Sequence, residues 1–137
     1  MGIKKFIYSI YETTLLNQLD TKELPQHIGL IHDGHRRYAR EKGLLSYEVS
    51  YRIGINTFKE CLSWCNELNI NHITSWLLSK ENLNRPNEEL DPYYKVIEEL
   101  FNDFTTSDTF DNYKIRFIGS RELLPETIIN TIEKVES

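Results

Sequence analysis

Cysteine and long apolar runs are both scarce in this sequence, and each scarcity narrows the class of protein. The only two cysteines, Cys61 and Cys65, lie four positions apart in a helical pattern, with no further cysteine or histidine at metal-ligand spacing. We therefore predict buried apolar thiols in a reducing compartment rather than a disulfide or a zinc site. Because no apolar run of about 18 residues and no signal-peptide pattern occurs, we expect a cytoplasmic protein without a membrane-spanning helix.

The sequence also lacks an excess of basic charge. Lys and Arg total 16 against 21 Asp and Glu, which gives a net charge of −5, so we expect no nucleic-acid partner. The arginines are concentrated locally at Arg36, Arg37 and Arg40, which suits a small anionic ligand better than a long polyanion. A hydrophobic content of 39% and a charged content of 27% are ordinary for one modest soluble domain.

The N-terminal segment, residues 1–24, carries an amphipathic helical pattern and a polar connector ahead of the main domain at residues 25–137. Docking of this helix on the main domain is the favoured interpretation. The alternative is an interfacial helix in which Lys4 and Lys5 face anionic lipid head groups. That alternative predicts peripheral contact with a membrane.

The order of apolar patterns in the main domain predicts an α/β fold. Apolar, β-prone stretches at 27–32, 70–79 and 113–119 alternate with helical patterns. This alternation predicts a three-layer, mostly parallel sheet with helices on both faces. Asp91 followed by Pro92 is typical of a helix start, with aspartate as the N-cap.

The first strand pattern ends at Asp33-Gly34, and a helical pattern follows from His35. Backbone N–H groups converge at such a turn and favour an anion, with Gly34 permitting close approach of the backbone. Asp33 would repel a phosphate unless a cation such as Mg²⁺ joins them, while Arg36 and Arg37 offer guanidinium groups that suit phosphate oxygens. The pattern fits diphosphate–Mg²⁺ binding, and it fits equally a helix N-cap aspartate beside a solvated basic face.

The second strand pattern ends at Ser79 in a polar loop that holds Asn82 and Arg85 before Pro86. Because ligands bind at the carboxyl ends of strands in open α/β sheets, we expect this loop to lie at the same edge as Asp33. Its hydroxyl, amide and guanidinium groups are suitable donors to an anion. The equally weighted alternative is a plain surface loop that ends at a proline.

These motifs resemble those of the cis-prenyltransferases, the family of undecaprenyl diphosphate synthase-like enzymes. The resemblance rests on Pro-x-His-Ile and Asp-Gly-x-x-Arg-x-Ala within 25–39, and on Ser-x-Glu-Asn…Arg-Pro at 79–86. Segments 50–54 and 76–79 are similar to the short-chain Z-farnesyl diphosphate synthase branch. The resemblance implies an enzyme that condenses isopentenyl diphosphate with an allylic prenyl diphosphate to form a Z-prenyl diphosphate, with Mg²⁺ as cofactor.

The resemblance also implies roles for individual residues. Asp33 would be the metal ligand, holding Mg²⁺ together with the diphosphate. Tyr51, Ile55 and Phe58 would either line a tunnel for the growing chain or, as we favour, form ordinary core. The implied catalytic residues are Asp33, Asn82 and Arg85, and the implied substrate-binding residues are Gly34, His35, Arg36, Arg37, Tyr38, Tyr51 and Ser79.

The sequence departs from the family pattern in residue identity and in length. Histidines His32 and His35 replace methionine and asparagine, Tyr38 replaces tryptophan, and protonation of His35 would make anion binding pH-sensitive. The chain also lacks the arginine-rich half that holds isopentenyl diphosphate in the family. We therefore expect it to supply the allylic diphosphate and Mg²⁺ site as a homodimer or with a complementary subunit. The alternative is a catalytically incomplete remnant or subunit that only binds diphosphate or prenyl lipid.

Overall fold

The computed structural model describes residues 2–19, 23–111 and 113–137, so the predicted connector within 1–24 lies partly outside the described residues. Side-chain hydrogen bonds explain where some helices begin. The hydroxyl of Ser46 accepts a hydrogen bond from the backbone N–H of Glu48 at 3.1 Å, so Ser46 caps the start of the helix that follows it. The elements in chain order are α1 (Ile3–Gln18), β1 (His27–Ile31), α2 (His35–Glu41), α3 (Tyr47–Glu67), β2 (His72–Trp76), a 3₁₀ turn (Lys80–Asn84), α4 (Asn87–Thr106), a second 3₁₀ turn (Asp108–Phe110) and α5 (Glu126–Glu136).

Strands β1 and β2 form a parallel pair in which Ile31 lies opposite Trp76. Successive side chains of a strand point to opposite faces of the sheet. On one face Leu30 and Ile73 pack against the core, whereas on the other Ile31 and Trp76 are 79% and 61% exposed. The predicted α/β fold with a parallel sheet is therefore confirmed.

Among the described residues, helices cover one face of this sheet rather than the predicted two. Helix α3 lies on the crossover from β1 to β2, and α4 and α5 follow it onto the same side. A chain that makes one crossover between two parallel strands places the connecting helices on one side. The described part of the chain consequently forms two layers.

The core lies between α3, α4, α5 and the covered sheet face. It is built from the apolar stripes of the three helices, and burial of each large side chain stabilises the fold by about 1.5–3 kcal/mol. The most completely buried large side chains are those of Leu100 and Ile128. Phe58 belongs to this cluster, as the favoured core interpretation predicted, together with Tyr51, Leu62, Tyr93, Val96, Ile97, Phe101, Phe110 and Ile132.

Helix α1 has no buried residue. Its apolar side chains are exposed, as with Phe6 at 62% and Ile7 at 59%. The predicted docking of this helix on the main domain is therefore wrong for the described residues, because its apolar stripe finds no apolar partner there. In those same ranges, no helix combines the length and apolarity needed to cross a membrane. The division into 1–24 and 25–137 stays a prediction.

The third predicted strand, 113–119, does not pair with the sheet in the described residues. Its alternating side chains pack instead on the helices, with the ring of Phe117 4.5 Å from that of Phe101. The backbone N–H of Phe117 donates to a carboxylate oxygen of Glu136 at 2.8 Å. Alternation predicts which side of a segment is apolar, but a strand also needs a neighbouring strand to complete its hydrogen bonds.

Helix α4 begins at Asn87, not at the predicted Asp91 and Pro92. Acidic Glu88 and Glu89 occupy its first turn, where the helix dipole favours negative charge. Pro92 therefore lies one turn inside the helix. The earlier start brings the first turn of α4 close to the candidate site, as Glu89 demonstrates below.

Candidate functional site

The turn between β1 and α2 is built around Asp33 and Gly34. Gly34 has a φ of 96°, in the left-handed region that glycine adopts without strain. The Asp33 carboxylate accepts a hydrogen bond from the Gly34 N–H at 2.6 Å and lies 3.4 Å from the Arg37 guanidinium. Gly34, not Asp33, is the N-cap of α2. The N-cap alternative for Asp33 is therefore wrong, and its carboxylate, 80% exposed, faces solvent at the strand end.

The loop after β2 is held in shape by a reciprocal pair of hydrogen bonds. The Ser79 hydroxyl accepts from the Asn82 N–H at 3.3 Å, and the Asn82 side-chain oxygen accepts from the Ser79 N–H at 3.1 Å. This capping box fixes the turn and orients Asn82. Because its amide oxygen is occupied, Asn82 offers its NH₂ group to a ligand. Arg85 ends the same turn.

The two strand ends open into one cleft of about 370 Å³. This geometry bears out the expectation that the two loops lie at the same edge, because Asn82 and Arg85 line the same cleft as Asp33. Tyr38 and Ser79 do not line the cleft: Tyr38 is 40% exposed on α2, and Ser79 acts as a cap. The cleft contains eight of the ten predicted site residues, namely Asp33, Gly34, His35, Arg36, Arg37, Tyr51, Asn82 and Arg85.

Four further residues line the cleft and were not predicted as site residues: His32, Arg40, Leu77 and Tyr93. Tyr93 donates a hydrogen bond from its hydroxyl to the Leu77 carbonyl, and burial raises the pKa of its phenol. Tyr93 lies on the buried face of α4, where the residue is 9% exposed. The available signal was its hydroxyl, because the hydroxyl of a buried tyrosine usually finds a hydrogen-bond partner.

The electrostatic character of the cleft is positive in an acidic protein. Among the described residues that line it are four arginines and one carboxylate, that of Asp33; the arginines are Arg36, Arg37, Arg40 and Arg85. Beside the cleft, Arg36 pairs with Glu89 of α4 at 3.5 Å, which restrains one guanidinium. Positive charge concentrated in a cleft attracts small anions.

His35 is positioned by helix α3. Its Nδ1–H donates to the Ser50 carbonyl at 3.3 Å, and because a carbonyl only accepts, the proton must be on Nδ1. The His35 ring also packs edge-on against Tyr51 at 5.4 Å. A Cβ on Gly54 would approach the His35 Cε1 atom to 2.1 Å, so the ring occupies space that only a glycine leaves open.

Tyr51 lies at the inner end of the cleft with an unused hydroxyl. The residue is only 3% exposed, and its hydroxyl oxygen has no hydrogen-bond partner among the described residues. Burial raises the pKa of the phenol, with Arg85 acting in the opposite direction. A buried hydroxyl without a partner is uncommon and is available to a ligand that enters the cleft.

The side chains that line the cleft suit a metal ion that binds together with a phosphorylated ligand better than a metal ion held by protein groups alone. Asp33 is the one carboxylate that lines the cleft, and the described residues contain no group of three or more His, Cys, Asp or Glu that could hold a metal ion. Mg²⁺ is commonly bound by one or two carboxylates together with substrate phosphates and water. Asp33 therefore suits Mg²⁺ that is shared with a phosphorylated ligand.

A parallel sheet with an arginine-lined cleft at its strand ends is an arrangement that suits small phosphorylated ligands. Residues 31–137 match the prenyltransferase family described as undecaprenyl diphosphate synthase, and the chain belongs to this family. The resemblance recognised in the sequence is therefore confirmed.

Individual relatives agree with the family. The chain is 37% identical over 134 residues to a tritrans,polycis-undecaprenyl-diphosphate synthase (geranylgeranyl-diphosphate specific) of Methanopyrus kandleri, covering 96% of this chain and 49% of the relative. It is 34% identical over 135 residues to a (2Z,6E)-farnesyl diphosphate synthase of Thermobifida fusca, covering 98% and 52%. The chain spans about half the length of these curated relatives.

A solved structure is similar in fold. Lavandulyl diphosphate synthase from Lavandula x intermedia, crystallised with dimethylallyl diphosphate, superposes with a TM-score of 0.72 and 29% sequence identity. The match covers 82% of this chain and 48% of that one. The three-dimensional arrangement of this chain therefore agrees with the α/β fold that the sequence predicted.

Proposed function

We propose that this chain supplies the allylic diphosphate and Mg²⁺ site of a cis-prenyltransferase. The reaction condenses isopentenyl diphosphate with an allylic prenyl diphosphate to give a Z-prenyl diphosphate. The observation that carries the proposal is the single cleft in which Asp33, Asn82 and Arg85 meet the α2 arginines. The family and the dimethylallyl diphosphate bound by the lavandulyl diphosphate synthase support it.

Different residues of the cleft would bind different oxygens of the diphosphate. Arg36, Arg37 and Arg85 provide guanidinium groups that pair with its oxygens, and Asn82 adds its NH₂ group. In the proposed reaction the allylic C–O bond breaks and the diphosphate leaves. The isopentenyl double bond attacks the allylic carbon to form the new C–C bond, and a proton is then lost. The arginines stabilise the charge that develops on the leaving group.

Asp33 would hold Mg²⁺ together with the diphosphate oxygens. When bound, the metal supplies Lewis-acid stabilisation of the leaving diphosphate. Without a cation the Asp33 carboxylate repels the same oxygens. The proposal thus predicts opposite effects of Asp33 on ligand affinity in the presence and absence of Mg²⁺.

Calorimetry with dimethylallyl diphosphate tests this pair of effects. With Mg²⁺ we expect Asp33→Ala to weaken binding by about tenfold or more, equivalent to about 1.4 kcal/mol; with EDTA the substitution should leave binding unchanged or tighter. Asp91→Ala, on the exposed face of α4, is the matched control and should bind like the parent. Equal loss of affinity in both conditions would show that Asp33 serves the fold rather than the metal.

The second candidate is a binding protein that captures diphosphate or prenyl lipid without turnover. It is favoured by the cleft lining, in which Asp33 is the only carboxylate among the described residues. Incorporation of radiolabelled isopentenyl diphosphate, with dimethylallyl diphosphate, Mg²⁺ and the C-terminal half of a curated relative supplied in trans, separates the two. Tight diphosphate binding without incorporation would favour the binding protein.

A homodimer or a complementary subunit is part of the proposal. The exposed sheet face, with Ile31 and Trp76, supports it, because an apolar face of this kind is typical of an interaction surface. Sedimentation velocity of the parent and of an Ile31→Lys/Trp76→Lys variant tests self-association. A parent that sediments as a monomer at all concentrations would leave the complementary subunit as the partner.

Cytoplasmic location with peripheral membrane contact completes the proposal. Exposed apolar residues along α1, with Lys4 and Lys5 at its start, support contact with an anionic lipid surface. Flotation with phosphatidylglycerol vesicles, compared with phosphatidylcholine vesicles, is the test. We expect binding to the anionic vesicles and its loss in an Ile3→Ser/Phe6→Ser/Ile7→Ser variant. Equal recovery of the parent with and without vesicles would contradict membrane contact.

A further inference from the structure

The two sides of the cleft come from different segments of the chain. Arg36 lies in the first turn of α2, after β1, whereas Asn82 and Arg85 lie between β2 and α4. A diphosphate bound in the cleft would contact both sides at once. The position of Arg36 relative to the loop after β2 therefore decides whether their N–H groups can reach the same ligand.

An ion pair joins the two sides. Nη1 of Arg36 lies 3.5 Å from Oε2 of Glu89. Glu89 occupies the first turn of α4, directly after the loop that holds Arg85, and its backbone N–H donates to the Pro86 carbonyl at 2.9 Å. Because Glu89 does not line the cleft, its carboxylate reaches Arg36 from outside the ligand's space.

The Glu89 carboxylate depends on Arg36 for compensation of its charge. The side chain is 18% exposed, and its Oε2 atom is buried without a hydrogen-bond partner among the described residues. Removal of one member of such a pair leaves an uncompensated charge, which is strongly unfavourable. We therefore expect Arg36 to keep its contact with Glu89 when a ligand binds.

Arg36 can contact a ligand without leaving Glu89. A guanidinium carries five N–H donors, and its contact with Glu89 is made through Nη1 alone. The Arg36 side chain is 49% exposed and lines the cleft, so its other N–H groups remain available to ligand oxygens.

The Tyr51 phenol lies in the field of the same charges. Burial raises the pKa of this phenol, Arg85 lowers it, Glu89 raises it and Arg36 lowers it. Tyr51 is at the inner end of the cleft, so the ion pair and the arginine of the loop after β2 are gathered around one point there.

We propose that Glu89 is a positioning residue of the diphosphate site, which fixes the Arg36 guanidinium relative to Asn82 and Arg85. The inference rests on the proposed function and adds a residue that acts through Arg36 rather than on the ligand. A flexible arginine side chain loses rotamer freedom when it binds. Glu89 imposes this order before the ligand arrives, so less freedom is lost on binding.

Calorimetry with inorganic diphosphate and Mg²⁺ tests this role, because two explanations predict opposite signs. If Glu89 acted only through its charge, Glu89→Gln would tighten anion binding, since it removes a negative charge beside the cleft. As a positioning residue it should instead make Glu89→Gln bind about threefold to tenfold more weakly, the cost of ordering one flexible side chain. Glu88→Gln removes the same charge from the same turn of α4 at an exposed position, and this matched control should bind like the parent.

Two further variants show whether the effect passes through Arg36. Glu89→Asp keeps the negative charge at the start of α4 but withdraws the carboxylate from Arg36, so it should weaken binding as Glu89→Gln does. It also provides the measurement if Glu89→Gln does not fold, as judged by circular dichroism. In an Arg36→Ala background, Glu89→Gln should cause no further loss, because the effects of coupled residues do not add.

The outcomes separate this inference from the proposed function. If the parent binds inorganic diphosphate and the folded Glu89 variants bind it equally or more tightly, the positioning role is refuted while the diphosphate site stands. A loss of the same size in the Arg36→Ala background would also refute it, because Glu89 would then act without Arg36. If the parent does not bind inorganic diphosphate with Mg²⁺, the proposed function fails and this inference fails with it.

Discussion

Replacement of Gly54 by alanine is the sharpest structural test of how the site is assembled. Gly54 lies in α3 beneath His35, and a Cβ there would lie 2.1 Å from Cε1 and 2.8 Å from Nδ1 of that ring. Carbon atoms in ordinary contact are about 3.5 Å apart, so the His35 ring would have to move by well over an ångström. Such a shift breaks its hydrogen bond to the Ser50 carbonyl.

The expected change in the free energy of unfolding combines two unfavourable contributions and one favourable contribution. Overpacking costs about 1–3 kcal/mol, and loss of the hydrogen bond from His35 costs about 1 kcal/mol. Alanine regains about 1 kcal/mol because it is a better helix former than glycine. The free energy of unfolding of Gly54→Ala should therefore fall by about 2 kcal/mol, which for a chain of this size lowers the Tm by about 8 °C.

Thermal unfolding followed by circular dichroism, with NMR of the histidine ring protons, measures both consequences. Gly29→Ala in β1 is the matched control, because nothing lies within 4 Å of the Cβ that it adds, and its stability should change by less than about 0.5 kcal/mol. The His35 signals should shift in the Gly54 variant and remain in place in the control. A Gly54→Ala protein at least as stable as the parent, with unshifted His35 signals, would refute the packing described here.

Two further predictions concern the loop after β2 and the pH dependence of stability. Ser79→Ala removes the cap that fixes Asn82, so it should cost about 1 kcal/mol and speed hydrogen exchange in Lys80–Asn84, whereas exposed Ser120→Ala should do neither. Burial and the charge of His35 lower the pKa of His32 from 6.5, so the unfolded state binds more protons below that pH. The contribution of neutral His32 to the free energy of unfolding should therefore be fully present above pH 6.5 and decline as the pH falls below it. Denaturant titrations at several pH values should show a smaller decline in the His32→Phe variant. An identical decline in the variant would assign it to another group.

Much of the candidate site could be predicted because the rules that place it are local or topological. A short apolar strand followed by Asp33-Gly34 and a helical pattern specifies a strand–turn–helix, and the positive φ of Gly34 is the geometry that a glycine there favours. The carboxyl ends of parallel strands share an edge, so Asn82 and Arg85 were expected beside Asp33, as the cleft bears out. The roles assigned to these residues stay predictions.

The parts that escaped prediction depend on what lies opposite a residue rather than on the residue's own pattern. The alternation in 113–119 identifies an apolar side correctly, since Phe117 packs on α4, but it carries no information about a partner strand. The apolar stripe of α1 likewise cannot say whether a surface is there to receive it. Tyr93 differs, because a hydroxyl within an apolar stripe requires an acceptor across the core. In this protein that acceptor is the Leu77 carbonyl, which places the Tyr93 hydroxyl at the inner end of the site.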